Sequence, residues 1–371
     1  MAETGNPNPN SLMTVHEPVF RSLPVPRPDL TAYRLNRWWA LAVSPRGFTN
    51  YSRFLLADKR APVVRYLPVR VDIEPVSRCN FHCVMCPVSN WPDHRRGPDM
   101  AVDDFVRLLD ALPGLVEIKL QGLGEPLLGG SAYLEMIRHA RARHIWVRTT
   151  VNGSMLHVND NYRRLIHSGV SEVQISFDGT VKETFEQIRR GARFERVVEN
   201  CKLVNSYCNE RGILTTRMWV LLQDRNVGEF LDFVRLGHEL GFKRMTFSLD
   251  LYTWNGTVSA VSATTSVTPQ MARKAMELGR DLGIEVTFWQ LTSRYRTGDT
   301  KTVCPWPFER AFISSDLRIV PCCMVSDPGL VDLGDARDFA RAWNGDLYRK
   351  FRMAHLTGRL PNVCEQCYES E

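Results

Sequence analysis

The sequence predicts an α/β fold, a partial (β/α)6 barrel of the TIM type followed by a small, loop-rich C-terminal domain. Between residues 68 and 249, six short strand-like runs alternate with amphipathic segments, which indicates a parallel sheet covered by helices. Polar motifs directly follow four of the runs, as expected where the loops at the C-terminal ends of barrel strands carry the chemistry. The alternation stops near residue 260, and residues 300–371 contain five of the ten cysteines.

The first half of the predicted barrel follows from residue spacing and turn residues. VRVDI (69–73) alternates apolar and polar residues like a half-buried strand, and DDFVRLLDAL (103–112) has a helical period that Pro113-Gly114 ends. The loop QGLGEP follows the next strand, and Asn152-Gly153 ends the third. In order, the predicted elements are strand 69–73, helix 103–112, strand 116–120, helix 132–143 and strand 145–150.

The second half repeats this pattern. Gly169 and Gly241 each follow a helical segment, as C-terminal helix caps do, and Asp178-Gly179 ends the fourth strand. In order, the predicted elements are helix 161–168, strand 173–177, helix 194–210, strand 214–222, helix 227–240, strand 243–249, helix 271–283 and strand 284–288.

Three domains are therefore predicted: residues 1–65, 66–260 and 261–371. Residues 1–29 are rich in Pro and Asn and predict a disordered tail. Residues 30–60 place apolar and basic side chains at helix-like spacing. A helical extension packed on the main domain is favoured there over a docking or membrane-surface element.

Composition restricts the classes of function. No apolar run approaches the roughly 20 residues that cross a bilayer, and no secretory signal opens the chain. We therefore expect a cytoplasmic protein whose ten cysteines stay reduced and serve as metal ligands rather than disulfides. The net charge of +6 suits an anionic substrate, cofactor or partner. The basic residues are scattered, so a nucleic-acid surface is not expected.

The loop after the first strand, RCNFHCVMCP, holds Cys79, Cys83 and Cys86 with the spacing C-x3-C-x2-C. Three interpretations are open for it. One is a zinc site whose fourth ligand lies elsewhere, such as His82. The others are coincidence, and an iron–sulfur cluster that leaves one iron open to a further ligand.

The spacing and its position after a first barrel strand resemble the radical S-adenosylmethionine (radical SAM) enzymes. Gly122-Leu123-Gly124-Glu125-Pro126 looks like the Gly-Gly-Glu-Pro motif of that family, with Leu123 where a Gly is more common. Asn152-Gly153 and Ser176-Phe177-Asp178-Gly179 follow in the expected order. The resemblance covers about residues 68–255 and favours the iron–sulfur interpretation over structural zinc.

The resemblance implies roles for individual residues. Cys79, Cys83 and Cys86 would bind a [4Fe-4S] cluster whose fourth iron is chelated by SAM. Gly124 and Glu125 would face the SAM ammonium, Ser176 its ribose or methionyl part, Arg189 its carboxylate and Met85 its adenine. Asn152 is assigned to the same cofactor site, although a plain turn residue is equally expected there. An electron donor such as flavodoxin or ferredoxin is implied as a partner.

The C-terminal cysteines resemble a twitch domain, the shortened relative of the SPASM domain, and imply a second, auxiliary [4Fe-4S] cluster. Its ligands would be Cys304, Cys322, Cys364 and Cys367. Cys322 is preferred to Cys323 because it directly follows Pro321. Leu317 stands where this pattern usually has Gly, so the preceding hairpin must turn without glycine. A four-cysteine zinc ribbon is the competing interpretation, while Cys201 and Cys208 are expected to be buried structural cysteines.

The expected activity is radical oxidation, dehydrogenation or rearrangement of a small polar molecule, such as a sugar, aminocyclitol or amino acid derivative. The C-terminal pattern resembles the aminocyclitol dehydrogenase group of butirosin biosynthesis. A peptide-modifying maturase is the alternative, although no convincing winged-helix pattern precedes residue 65. A zinc-binding interaction protein is a third hypothesis. Asp250, Tyr252 and Trp254, which follow the sixth strand, are candidates for the base, with packing or turn roles equally expected.

Overall fold

The computed structural model describes residues 23–58, 60–91, 97–249, 267–290, 294–297 and 301–368. Most of the predicted tail and the candidate bases Asp250, Tyr252 and Trp254 lie outside these residues. The helices are α1 (Leu30–Ala42), α2 (Pro45–Leu56), α3 (Val102–Ala111), α4 (Gly130–Ala142), α5 (Asn161–His167), α6 (Lys182–Ile188), α7 (Phe194–Asn209), α8 (Phe230–Glu239), α9 (Pro269–Asp281), α10 (Trp306–Glu309), α11 (Phe339–Trp343), α12 (Asp346–Leu356) and α13 (Asn362–Glu365). The strands are β1 (Arg70–Ile73), β2 (Glu117–Leu120), β3 (Trp146–Val151), β4 (Glu172–Ser176), β5 (Thr216–Leu221), β6 (Arg244–Ser248), β7 (Glu285–Trp289), β8 (Arg310–Ile313), β9 (Arg318–Val320) and β10 (Gly334–Asp335).

All ten strands belong to one open sheet with the order β10-β9-β8-β1-β2-β3-β4-β5-β6-β7. Strands β1 to β7 are parallel, and β8 also pairs in parallel with β1. Only β9 and β10 are antiparallel to their neighbours. The predicted partial barrel is confirmed. The sheet runs across the domain boundary predicted near residue 260, since β7 to β10 extend it at both edges.

Each parallel strand has an apolar face and a polar face. On β1 and β2, Val71, Ile73, Ile118 and Leu120 are buried in the core that the helices cover. The alternate side chains point to the opposite, concave face, because successive side chains of a strand alternate. We call that concave side the lumen. It is lined by charged and polar side chains: Arg70, Asp72, Glu117, Lys119, Arg148, Glu172, Gln174, Arg217, Arg244 and Thr246.

The N-terminal helices pack on the main domain, as predicted. Tyr33 of α1 stacks edge-on against Trp146, with ring centroids 5.5 Å apart, and its hydroxyl donates to Glu117 at 3.0 Å. Because Glu117 and Trp146 begin β2 and β3, α1 covers the N-terminal end of the sheet. In α2 the buried Asn50 side chain donates to the carbonyls of Leu67 at 3.1 Å and Pro113 at 2.8 Å.

The hairpin between β8 and β9 turns at Leu317, whose φ is +65°. This left-handed conformation costs roughly 1–2 kcal/mol for a residue with a Cβ. The Leu317 side chain is only 4% exposed, so burial offsets that cost. The turn without glycine that the sequence required is confirmed.

No helix in the described ranges combines the length and the apolar character needed to cross a bilayer.

Candidate metal centres

The cysteine loop leaves the C-terminal end of β1 and is clamped on two sides. His82 and Val84 donate their backbone N–H groups to the carbonyls of Arg190 at 2.8 Å and Ile188 at 3.0 Å, which lie just after α6 and at its last residue. On the other side, the N–H of Glu125 donates to the carbonyl of Arg78 at 2.9 Å. The loop is therefore positioned by the segments that follow β2 and β4, and not only by its own sequence.

The three thiols of this loop lie close enough to affect one another. Burial raises the pKa of Cys83 to about 12 and that of Cys86 to about 11, and the neighbouring cysteines add to both shifts. Burial also raises the pKa of Cys79. The Arg189 guanidinium acts in the opposite direction on all three. Three neighbouring thiolates, of which Cys83 is buried and Cys79 and Cys86 are half-buried, need more positive charge than Arg189 supplies, and an iron–sulfur cluster would provide it.

Gly124 lies against the backbone of the cysteine loop. A Cβ at this position would stand 2.3 Å from the carbonyl oxygen of Val76 and 2.5 Å from that of Arg78. At Gly122, a Cβ would stand 2.2 Å from Cγ of Glu74. The glycines of the QGLGEP motif thus permit the β2 loop to approach the cysteine loop, which no residue with a side chain allows without movement.

Glu125 is 2% exposed and joins the β2 loop to the end of β3. Its carboxylate accepts backbone N–H groups from Asn152 at 2.7 Å and Leu127 at 3.2 Å, while burial raises its pKa to about 7. The Asn152 side chain donates to Oδ1 of Asn80, in the cysteine loop, at 2.9 Å. The structure therefore brings Gly124, Glu125 and Asn152 together beside Cys79.

Arg189 is 7% exposed and forms an ion pair with the fully buried Asp178, at 2.7 Å between Nη2 and Oδ2. Asp178 also accepts the N–H of Leu221 at 2.8 Å. Nε of Arg189 has no hydrogen-bond partner among the described residues. Arg189 thus has a protein partner and one free donor, whereas the sequence assigned it to the SAM carboxylate. Ser176, at the end of β4, and Met85, in the cysteine loop, are half-buried; their contacts with SAM stay predictions.

The second cysteine set also converges. Cys304 precedes α10, Cys322 follows β9, Cys364 lies in α13 and Cys367 follows that helix. Burial is the largest cause that raises the pKa of Cys322, and the thiols of Cys323, Cys364 and Cys304 raise it further. Burial likewise raises the pKa of Cys364, and the thiols of Cys304 and Cys367 add to the shift. These mutual effects place the four predicted ligands in one group.

Cys323 has a different environment from Cys322. Burial raises its pKa to about 12, and the charges that also act on it are those of Asp72, Lys119 and Arg310, which belong to β1, β2 and β8, and that of Cys367. Cys323 therefore faces the lumen. This supports Cys322 as the cluster ligand, an assignment that stays a prediction.

Within the described part of the chain, no three His, Cys, Asp or Glu side chains surround a position that could hold one metal ion. A tetrahedral zinc site requires such convergence. In an iron–sulfur cluster each thiolate binds its own iron, so the ligands are spread more widely. Sets of three and four thiolates suit iron–sulfur clusters.

Sequence reasoning missed the polar residues of the strands. Glu74 is 4% exposed and accepts the N–H of Leu123 at 3.0 Å and that of Ser315 at 3.4 Å. These hydrogen bonds join the end of β1 to the loops that follow β2 and β8. Asp72 and Lys119 are register partners on β1 and β2. The available signal was the alternation in VRVDIE and VEIKLQ, which puts acidic and basic residues on one strand face.

Two family models match this chain. Residues 73–237 match the radical SAM superfamily, and residues 304–368 match SPASM, an iron–sulfur cluster-binding domain. Since the first of these domains uses a [4Fe-4S] cluster with SAM, and the second holds additional iron–sulfur clusters, the cofactors implied by the two cysteine sets agree with both matches.

Curated relatives have varied activities. A tungsten-containing aldehyde ferredoxin oxidoreductase cofactor-modifying protein of Pyrococcus furiosus is 31% identical over 29% of this chain and 30% of its own length. A GTP 3′,8-cyclase of Listeria monocytogenes is 25% identical over 49% of this chain and 53% of its own. The mycofactocin maturase MftC of Mycobacterium ulcerans is 27% identical over 47% and 45%. The aligned regions thus span about a third to a half of these relatives.

Among solved structures, Streptococcus suis SuiB bound to S-adenosylmethionine superimposes with a TM-score of 0.61 at 17% identity. The superposition covers 77% of this chain and 68% of SuiB. At this identity the likeness concerns the fold.

Proposed function

Because this chain contains a radical SAM domain and a SPASM domain, we propose that it oxidises or rearranges a small polar substrate, such as a sugar, aminocyclitol or amino acid derivative. When bound, the cluster and SAM supply a 5′-deoxyadenosyl radical by reductive cleavage, and this radical takes a hydrogen atom from substrate. Dehydrogenation is the preferred net reaction.

In this proposal Cys79, Cys83 and Cys86 hold the first cluster, and Arg189 balances part of the thiolate charge. Gly124 lets the β2 loop lie close to the cluster. Glu125 links the loop after β2 to the end of β3 through the hydrogen bond from the Asn152 N–H, so that polar groups there can orient SAM.

The lumen is the observation that supports a small polar substrate. Asp72 is 7% exposed; burial raises the pKa of its carboxyl, and the charges of Lys119 and Arg310 act in the opposite direction. A buried carboxylate is costly unless opposite charges or hydrogen bonds satisfy it. Asp72, Lys119 and Arg310 suit a ligand that carries both a hydrogen-bond donor or ammonium group and an anionic or hydroxyl group.

The second cysteine set supports a net oxidation of the substrate. Four cysteines, Cys304, Cys322, Cys364 and Cys367, would leave no open position on an auxiliary cluster, which suits acceptance of an electron rather than cleavage of SAM. Cys323 and Asp72 connect this region with the lumen, so the auxiliary cluster would lie beside the substrate.

The test is anaerobic reconstitution followed by incubation with SAM, dithionite and candidate substrates drawn from neighbouring genes. We expect two [4Fe-4S] clusters per chain and formation of 5′-deoxyadenosine that one substrate class stimulates. Lys119→Met should keep both clusters and the basal cleavage of SAM but lose the stimulation. A single cluster, or no 5′-deoxyadenosine from any preparation, would refute the proposal.

A peptide-modifying maturase is the second candidate, and the similarity to MftC supports it. It predicts that a precursor peptide encoded nearby binds the purified protein and stimulates 5′-deoxyadenosine formation, while small sugars and amino acids do not. A zinc-binding protein is separated from both by metal analysis, which would find zinc and no acid-labile sulfide.

A further inference from the structure

A cleft of about 630 Å³ opens between α2, the segment that enters β1, and α11. It lies at the N-terminal end of β1, whereas the cysteine loop leaves the C-terminal end. The residues that line it are Pro45, Arg46, Thr49, Asn50, Arg53, Val64, Arg65, Tyr66, Leu67, Pro113, Ala340 and Asn344.

The cleft is positively charged. Arg46, Arg53 and Arg65 are exposed, and no carboxylate of the described chain forms an ion pair with any of them. No acidic residue is among those that line the cleft. Three unpaired guanidinium groups around one cleft favour an anionic occupant, and steer it over a distance set by ionic strength.

An apolar surface adjoins these arginines. On α2, Phe48 is 61% exposed, Leu55 57% and Leu56 87%. Leu56 follows Arg53 by three residues, so the two side chains are neighbours on the helix surface. Exposed apolar residues beside unpaired charges are typical of protein interfaces. A free metabolite bound in the cleft would leave these apolar side chains of α2 exposed.

Aromatic side chains connect the cleft with the second cysteine set. Tyr66 lines the cleft, and Nε1 of the buried Trp343 donates to the Tyr66 carbonyl at 2.9 Å. The rings of Trp343 and Tyr348 are 4.6 Å apart. Burial raises the pKa of the Tyr348 hydroxyl, and the Cys322 thiolate is near enough to raise it further. Two rings, Trp343 and Tyr348, therefore lie between the cleft wall and Cys322.

From these contacts we propose that the cleft docks an acidic, one-electron carrier protein of the flavodoxin class, which serves the auxiliary site. The inference rests on the proposed function, since an oxidation leaves one electron to be removed. That electron reduces the oxidised flavin to its semiquinone, which takes any proton from water, and no other atom is transferred. A peptide substrate bound in the cleft would lie at the wrong end of β1 to reach the cysteine loop.

The experiment measures binding of oxidised flavodoxin to the reconstituted holoenzyme by microscale thermophoresis at low and high salt. We expect binding that weakens as salt rises. The triple variant R46E/R53E/R65E should raise Kd at least about tenfold. The matched control R273E/K274E/R280E makes the same charge change on α9, which packs at the opposite edge of the sheet, and should leave Kd within about twofold. Thermal unfolding and the absorbance of the clusters verify that both variants fold.

The docking site would be overturned if flavodoxin did not bind, if its binding did not depend on salt, or if both triple variants lost affinity equally. Binding of a glutamate-rich peptide that the cleft arginines control, with no effect on flavodoxin, would assign the cleft to a peptide and overturn the carrier. Cleavage of SAM with dithionite needs no carrier and should be unchanged in R46E/R53E/R65E. A wild-type protein that binds flavodoxin through the cleft yet forms no 5′-deoxyadenosine would refute the proposed function and leave the docking site standing.

Discussion

Replacement of Gly124 by Ala tests whether close approach of the β2 loop builds the first cysteine site. The new Cβ would meet the carbonyl oxygens of Val76 at 2.3 Å and Arg78 at 2.5 Å, and the carbonyl carbon of Ser77 at 2.9 Å. All three atoms are backbone, so no side-chain rotation relieves the contacts. The cysteine loop must move, and Cys79 is the residue next to Arg78.

The magnitude follows from these contacts. Overpacking of a buried site costs typically 1–3 kcal/mol. The movement also weakens the hydrogen bond from the Glu125 N–H to the Arg78 carbonyl, which contributes about 1 kcal/mol. We therefore expect Gly124→Ala to lower the free energy of unfolding by about 3 kcal/mol and to reduce the iron bound by the first site.

Urea unfolding of the apoprotein measures the stability, and iron and sulfide analysis after anaerobic reconstitution measures the cluster. Gly228→Ala is the matched control, because a Cβ there meets no heavy atom of the described chain within 4 Å. The control should retain full stability and iron. If Gly124→Ala also retained both, the close approach would not be what builds the site.

Three further predictions concern other parts of the molecule. Cys322→Ala should remove the auxiliary cluster while Cys323→Ala keeps it, because only Cys322 faces Cys304 and Cys364. Iron analysis and electron paramagnetic resonance distinguish the two variants, and equal loss of the cluster in both would contradict the assignment. Burial raises the pKa of Glu74 to about 7 from its ordinary value of 4.5, so the folded state holds the proton more tightly than the unfolded state. Its contribution to stability is therefore largest below pH 4.5 and falls by about 3 kcal/mol as pH rises to 7. In urea unfolding between pH 5 and 7.5, the free energy of unfolding should fall less steeply with pH in Glu74→Gln than in the wild type. An equally steep fall would reject this interpretation. Leu317→Gly and Leu317→Ala both remove a buried side chain, but only glycine relieves the strain of the positive φ. The Gly variant should therefore be more stable than the Ala variant by about 1 kcal/mol in urea unfolding. Equal stabilities would mean that the turn carries no strain.

The order of strands and helices could be read from the sequence because it depends on local periodicity. The six predicted strands from 69–73 to 243–249 all occur, with ends displaced by one or two residues. Cys201 and Cys208 are buried in α7, as their spacing of two helical turns predicted. The second cysteine set and the hairpin before Cys322 were expected from a resemblance, yet the pairing of β8 with β1 was not. Strands β8 and β9 are short, and what makes them strands is pairing with β1 and with each other.

By itself, the sequence determined the α/β class and the two cysteine sets, since these depend on periodicity and residue spacing along the chain. The close approach that requires glycine at position 124 comes from the tertiary structure. Only the tertiary structure decided that Arg189 pairs with Asp178, that Cys322 and Cys323 face different neighbours, and that Asp72 and Lys119 meet in the lumen. It also created the arginine cleft, from residues that lie as far apart as Arg46 and Asn344. Burial and charge at these places come from contacts between distant segments, which set the pKa and the pairing of each group and leave no local pattern in the sequence.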